Sequence, residues 1–266
     1  MSQVLSVTQA FGLLAPMLAP LLGALILSIF DWKMTFIALA ILTGISLIGA
    51  LLLQETLPRH ERTQASTIQS ILGLGKIARN RHFTSVLMVG ALIAAPYMAY
   101  LAIASYIYID GFGVSETTFS IYFAINSAAA ILGPVIYMKF GAGSVKKAIN
   151  IGIILSIISA VLILTVGHAG PIIFLLSYVI YSIVSTYFRP MISDLLLSAT
   201  ETDVGAASSV MNFGFTVVGS IGMTVGSLAW SSYTTGLAIT MLIFISFTTL
   251  AWLYLLKAKS IKFDWK

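Results

Sequence analysis

At 266 residues the chain is 59% hydrophobic and only 9% charged, with a formal net charge of +5. Soluble domains carry about 25% charged residues, so too little polar surface exists here to cover a water-soluble domain, and a large solvated helical protein is excluded. Cysteine is absent, which removes disulfide frameworks, thiol chemistry and cysteine-held metals.

Asp, Glu, Lys and Arg are missing from residues 1–30, 34–54, 82–109, 117–138, 148–188 and 204–256. A membrane-spanning helix needs about 20 apolar residues. The first four windows fit one helix each and the last two fit two. Gly167-His168-Ala169-Gly170-Pro171 divides the fifth window, and Trp230 through Thr235 divides the sixth. Gly and Pro punctuate helices, and Trp favours the membrane interface. The expected fold is therefore all-α and transmembrane, with eight membrane-spanning helices. The first window has no basic leader and exceeds the usual apolar core of a signal peptide, about 7–15 residues, so it reads as a span.

Assigning the loops alternately puts the basic residues on one side. Arg59, Arg62, Lys76, Arg79 and Arg81 lie between spans two and three. Lys139, Lys146 and Lys147 lie between four and five, Arg189 between six and seven, and Lys257, Lys259, Lys262 and Lys266 in the tail. Lys33 is the exception, beside Asp31, Asp110 and Glu116 on the other face. The positive-inside rule makes the loaded side cytoplasmic, with both termini inside a plasma membrane. Basic loops beside anionic lipid account for the net charge, and no nucleic-acid partner is expected.

The longest polar interval, near residues 55–82, divides the chain. Residues 1–54 carry two spans, 55–82 form a cytoplasmic linker, 83–256 carry six spans, and 257–266 form a cytoplasmic tail. Within the linker, Ile68, Ile71, Leu72 and Ala78 recur at helical spacing beside Lys76, Arg79 and Arg81, the pattern of a short interfacial helix. Two spans, a linker and six spans fit the end of one six-helix half followed by a complete second half, a recognised transporter plan.

Ala15, Ala19 and Gly23 recur every fourth residue in the first span, a small-residue stripe that lets helix backbones approach. Pro16 and Pro20 bend the same helix. Among polar groups inside the spans, Tyr97 and Tyr100 share a face of the third, and Tyr122 and Asn126 lie four apart in the fourth. Tyr178 and Tyr181 lie in the sixth, and Asn212, Phe213 and Phe215 in the seventh. Aromatic rings with hydroxyls and a buried amide suit an amphipathic small-molecule pocket. The same residues also serve as helix–helix hydrogen bonds or interface anchors. Gly222 and Gly226 form a G-x-x-x-G packing face.

Ala19-Pro20-Leu21-Leu22-Gly23-Ala24 resembles the Gly-Pro-x-x-Gly-Gly core of the antiporter motif in the fifth helix of major facilitator drug exporters. Leu14-Ala15-Pro16, Asp31-Trp32-Lys33-Met34-Thr35-Phe36 and Glu55-Thr56-Leu57-Pro58 resemble the bicyclomycin-resistance branch. Tyr106-Ile107-Tyr108-Ile109, Tyr122-Phe123-Ala124-Ile125-Asn126 and Gly205-Ala206-Ala207-Ser208-Ser209 continue the likeness in order along the chain. Ala19 and Ala24 stand where the motif has glycine. The resemblance implies the C-terminal two-thirds of a twelve-helix exporter. It also implies drug:proton antiport of bicyclomycin- or chloramphenicol-like amphipathic molecules in a bacterial inner membrane, powered by the proton gradient with no cofactor. A monomer in the lipid bilayer is expected. A transport-inactive membrane protein or partner subunit, and a nutrient symporter of the same superfamily, are the alternative readings.

Enzyme readings lack their residues. His60, His82 and His168 are scattered, so no metal site is expected. Gly73-Leu74-Gly75-Lys76 lacks the upstream glycine and following hydroxyl of a P-loop.

Overall fold

The protein is described by a computed structural model that places residues 22–23, 25–27, 29–53, 67–141, 143–198 and 204–257. Helix α1 is Lys33–Leu52, α2 Thr67–Arg79 and α3 Arg81–Ser105, which continues as a π-helical segment Tyr106–Gly111. Helix α4 is Glu116–Ala130, α5 Leu132–Phe140, α6 Val145–Thr165, α7 Pro171–Ser198, α8 Val204–Gly226 and α9 Tyr233–Lys257. No strand occurs among the described residues. The chain is all-α and transmembrane. Seven helical segments among the described residues are long and apolar enough to cross a membrane, with α3 and its π segment counted as one span and α4 and α5 as another. Most of the first expected span, with Ala15, Pro16, Ala19 and Pro20, lies outside the described residues. So does most of the linker ahead of Thr67.

Local chemistry sets the helix boundaries. Asn80 caps α3, its side-chain oxygen accepting from the backbone N–H groups of His82 and Phe83, donors that a helix start otherwise leaves unpaired. Ser115 does the same for α4 through Thr118. Between them, the N–H of Phe112 reaches the carbonyl of Ile107 at 3.1 Å, the wide spacing of a π turn. Gly113 then ends the span at φ 68°, a left-handed turn that glycine enters without steric penalty.

Helix α3 is the axle of the bundle. It packs most extensively on α8, then on α9 and α7. The α3–α8 seam is made of small residues on both sides. A Cβ on Gly222 would stand 2.4 Å from the Ala95 carbonyl oxygen, and one on Gly226 would stand 2.8 Å from the Ala99 Cβ. The G-x-x-x-G pair therefore meets an Ala-x-x-x-Ala pair inside the same chain. Helix α1 buries no residue. It is apolar over its whole circumference, so lipid suffices as its solvent.

One boundary differs from the expectation drawn from charge. Arg189 was assigned to a loop after a span ending near residue 188, but α7 runs on through Arg189, Pro190 and Asp194 to Ser198. At 1.5 Å per residue the helix is about 40 Å long against a hydrocarbon core of about 30 Å. Its last turns therefore project beyond the hydrocarbon, where charge is tolerated.

Candidate functional site

A column of aromatic and hydroxyl groups fills the space where α3, α4 and α7 meet. The ring of Tyr100 on α3 stacks on Tyr178 of α7 at 4.1 Å between centroids and on Phe123 of α4 at 5.8 Å. Toward the π segment, Tyr108 stacks on Tyr122 at 5.4 Å and meets the edge of Phe174 at 5.4 Å. Toward the opposite end, the Tyr181 hydroxyl donates to the carbonyl oxygen of Ile93, and Ser182 donates to Asn126 Oδ1 at 2.8 Å. Tyr100, Tyr108, Tyr178, Tyr181 and Asn126 are all buried. The hydroxyls of Tyr100, Tyr108 and Tyr178 have no hydrogen-bond partner among the described residues. Buried hydroxyls usually find one, and here Tyr100 and Tyr108 lie close enough to interact with each other, as Tyr178 does with Ser182.

Helix α7 clasps two proline-containing spans. In the α4–α5 span, which turns at Ile131, Pro134 cannot donate to the carbonyl of Ala130. Thr186 Oγ1 lies 2.6 Å from that carbonyl oxygen and 2.8 Å from the Ser182 carbonyl oxygen of its own helix, and shares its proton between them. Gly133 makes the approach possible, since a Cβ there would lie 2.5 Å from the Ile183 carbonyl oxygen. In α3, Tyr181 bonds Ile93, one residue from the carbonyl that Pro96 leaves without its donor. Farther along, Tyr137 donates to Asp194 at 2.8 Å and Tyr187 to the Gly141 carbonyl oxygen at 3.2 Å. Side-chain compensation of this kind is what makes proline tolerable in a membrane helix.

The outer faces of the bundle are not alike. On α6 the exposed large residues are Ile151, Ile154, Leu155, Ile157, Ile158, Val161 and Leu164, a surface suited to lipid. On α8 the exposed face also carries Ser209, Asn212, Thr216, Ser220 and Thr224 in one stripe, interleaved with the exposed Phe213, Val217, Ile221 and Met223. Each hydroxyl in it donates back to the carbonyl four residues earlier. The Asn212 amide has no side-chain hydrogen bond among the described residues. An unpaired amide in hydrocarbon costs roughly 2–7 kcal/mol, so this face is shaped for water or for protein, not acyl chains. At its edge the guanidinium of Arg189 on α7 lies over the Phe215 ring, 5.3 Å from the centroid.

The residues singled out from sequence fall into two groups. Tyr100, Tyr122, Asn126, Tyr178 and Tyr181 belong to the column, with half-buried Tyr97 packed beside the core. Asn212 and Phe213 lie apart on the exposed face of α8, Phe213 at 71% exposure. Gly23 is helical, with nothing within 4 Å of a built Cβ. Sequence reasoning did not single out Tyr108, Ser182, Thr186 or Thr216 as site residues. The four-residue spacing of Asn212, Thr216, Ser220 and Thr224 carried the signal for the stripe. Among the described residues no group of three His, Cys, Asp or Glu side chains is placed to hold a metal ion.

A family model described as Major Facilitator Superfamily matches residues 2–223. The chain belongs to that superfamily. Within it, the Bacillus subtilis MFS-type transporter YdgK is 30% identical over 227 residues, covering 83% of this chain and 56% of the relative. The multidrug resistance protein MdtM of Escherichia coli is 21% identical over 237 residues, covering 86% and 57%. The chloramphenicol resistance protein CraA of Acinetobacter baumannii is 25% identical over 139 residues, covering 52% and 33%. The chain thus spans just over half the length of the longest-matching of these relatives. The chain is thus a multi-pass membrane protein of that superfamily.

Proposed function

We propose that this superfamily member handles amphipathic, drug-like molecules as part of a proton-driven exporter of the bicyclomycin-resistance type, in a bacterial inner membrane with both ends of the chain cytoplasmic. The observation that carries the reading is the polar stripe Ser209–Asn212–Thr216–Ser220–Thr224 on the exposed face of a membrane helix. Such a face is the wall of an aqueous path or of a junction between halves, where transporters of this plan hold their substrates. Relatives that are chloramphenicol and multidrug resistance proteins point to the substrate class. Tyr97 and Tyr122, half-buried at the margin of the column, are the tyrosines placed to meet a substrate without rearrangement.

The test is export of chloramphenicol from cells producing the protein, with and without a protonophore. Export that collapses with the gradient is the expected result, and export that persists would overturn proton coupling. One observation favours a second reading, a membrane subunit that acts only with a partner. In the described spans the carboxylates Asp110, Glu116 and Asp194 all lie near helix ends, so a proton-coupling carboxylate at mid-membrane must come from elsewhere. Purified chain in liposomes that binds the drug but does not move it would establish that reading.

A further inference from the structure

We infer that the edge of the polar face between α7 and α8 is an anion-accepting subsite with Arg189 as its charged contact, so that this unit favours carboxylate-, sulfonate- or phosphate-bearing amphiphiles over cations. The inference rests on the transport reading for its purpose, but its geometry stands alone. Arg189 lies in the last third of α7, about 27 Å along it at 1.5 Å per residue, where the helix leaves a hydrocarbon core of about 30 Å. An arginine at such a margin extends its guanidinium toward water and headgroups, which leaves the head accessible to a charged ligand.

Arg189 has no ion pair among the described residues. The carboxylate on its own helix, Asp194, is taken by Tyr137 of α5 at 2.8 Å. What Arg189 has instead is Phe215, whose ring supports the guanidinium at 5.3 Å while the residue stays exposed. A guanidinium that packs on a ring still offers N–H donors, and with them it takes an oxyanion through two parallel hydrogen bonds. Asn212, about one turn before Phe215 on α8, is also exposed and carries an amide with no side-chain hydrogen bond among the described residues. A cationic ligand on this face would meet the positive charge of Arg189, which has no ion pair among the described residues.

The test uses the purified full chain in detergent and three ligands built on one ring system: 1-naphthylacetate, 1-naphthylacetamide and (1-naphthylmethyl)trimethylammonium. Equilibrium dialysis gives their affinities for wild type, R189Q, R189K and N212L. Wild type is expected to bind the carboxylate at least about tenfold more tightly than the cation. R189Q should lose about tenfold for the carboxylate while its affinity for the neutral amide stays level, which also reports that the variant is folded. R189K, which keeps the charge but not the planar fork of donors, should fall between, and N212L should lose a few-fold. Equal carboxylate affinity in wild type and R189Q, with the amide still bound, would overturn the anion subsite and leave the transport reading standing. Saturable binding of none of the three to wild type would overturn both.

Discussion

The hydroxyl of Thr186 donates to the carbonyl oxygen of Ala130, 2.6 Å away, and that carbonyl is the one Pro134 deprives of its helical donor. The bond joins the midpoint of one span to the bend of another. Thr186→Val keeps the shape and removes the donor. It should lower stability by about 1–2 kcal/mol, the penalty for an unsatisfied buried acceptor, read as a shift in thermal unfolding in detergent. Thr186→Ser should stay close to wild type. A Val variant as stable as the Ser variant would show that the carbonyl is satisfied in another way.

Glycines divide sharply by what surrounds them. Gly222→Leu should abolish the folded monodisperse protein, because even a Cβ there falls 2.4 Å from a backbone oxygen of α3 and overpacking against backbone is not relieved by rotamers. Gly44→Ala on α1 meets nothing within 4 Å and should be neutral or add up to about 1 kcal/mol of helix propensity. Size-exclusion profiles and melting temperatures of the two variants check the contrast.

Because the chain has no cysteine, single cysteines can be introduced without a background. Cysteines at Asn212, Thr216 and Ser220 should react with a membrane-impermeant maleimide supplied from the side to which the path is open. Cysteines at Ile154, Ile157 and Ile158 on α6 should react only with lipid-soluble reagents. Equal labelling of the two sets would refute the assignment of the α8 face to an aqueous path or protein junction.

Orientation has its own test. A cysteine replacing Asp110 should be labelled in intact cells, and one replacing Lys146 only after permeabilisation, as the basic side is assigned to the cytoplasm. The reverse pattern would invert the proposed topology.

The spans were legible because lipid leaves no place for charge, so gaps in the charge pattern become helices with little ambiguity. The same reasoning misplaced the end of α7. Charge marks where the hydrocarbon stops, whereas a helix stops where its backbone loses partners, and in α7 the two differ by more than two turns between Arg189 and Ser198. Tyr100 and Tyr178 were recognisable as polar groups in membrane helices, yet their stacking was not. The sequence distance between them says nothing about which helix faces which, and that choice is made by small residues such as Gly133 and Gly222 that admit one neighbour closely. The dependence of Pro134 on Thr186 was hidden for the same reason. Asn212 was legible as an unusual residue, but its meaning came from exposure, which one helix read alone does not reveal.

The ties from α7 to the α4–α5 span have a mechanical consequence. Asn126, Ala130, Gly141 and Tyr137 are each fastened to α7 at a different height. Two rods joined at a single point can slide or scissor, whereas rods bolted along their length form a beam that resists shear. Any cycle of opening must therefore tilt the beam as one piece or break several bolts together, and weakening a single bolt should blunt the motion before it unfolds the protein.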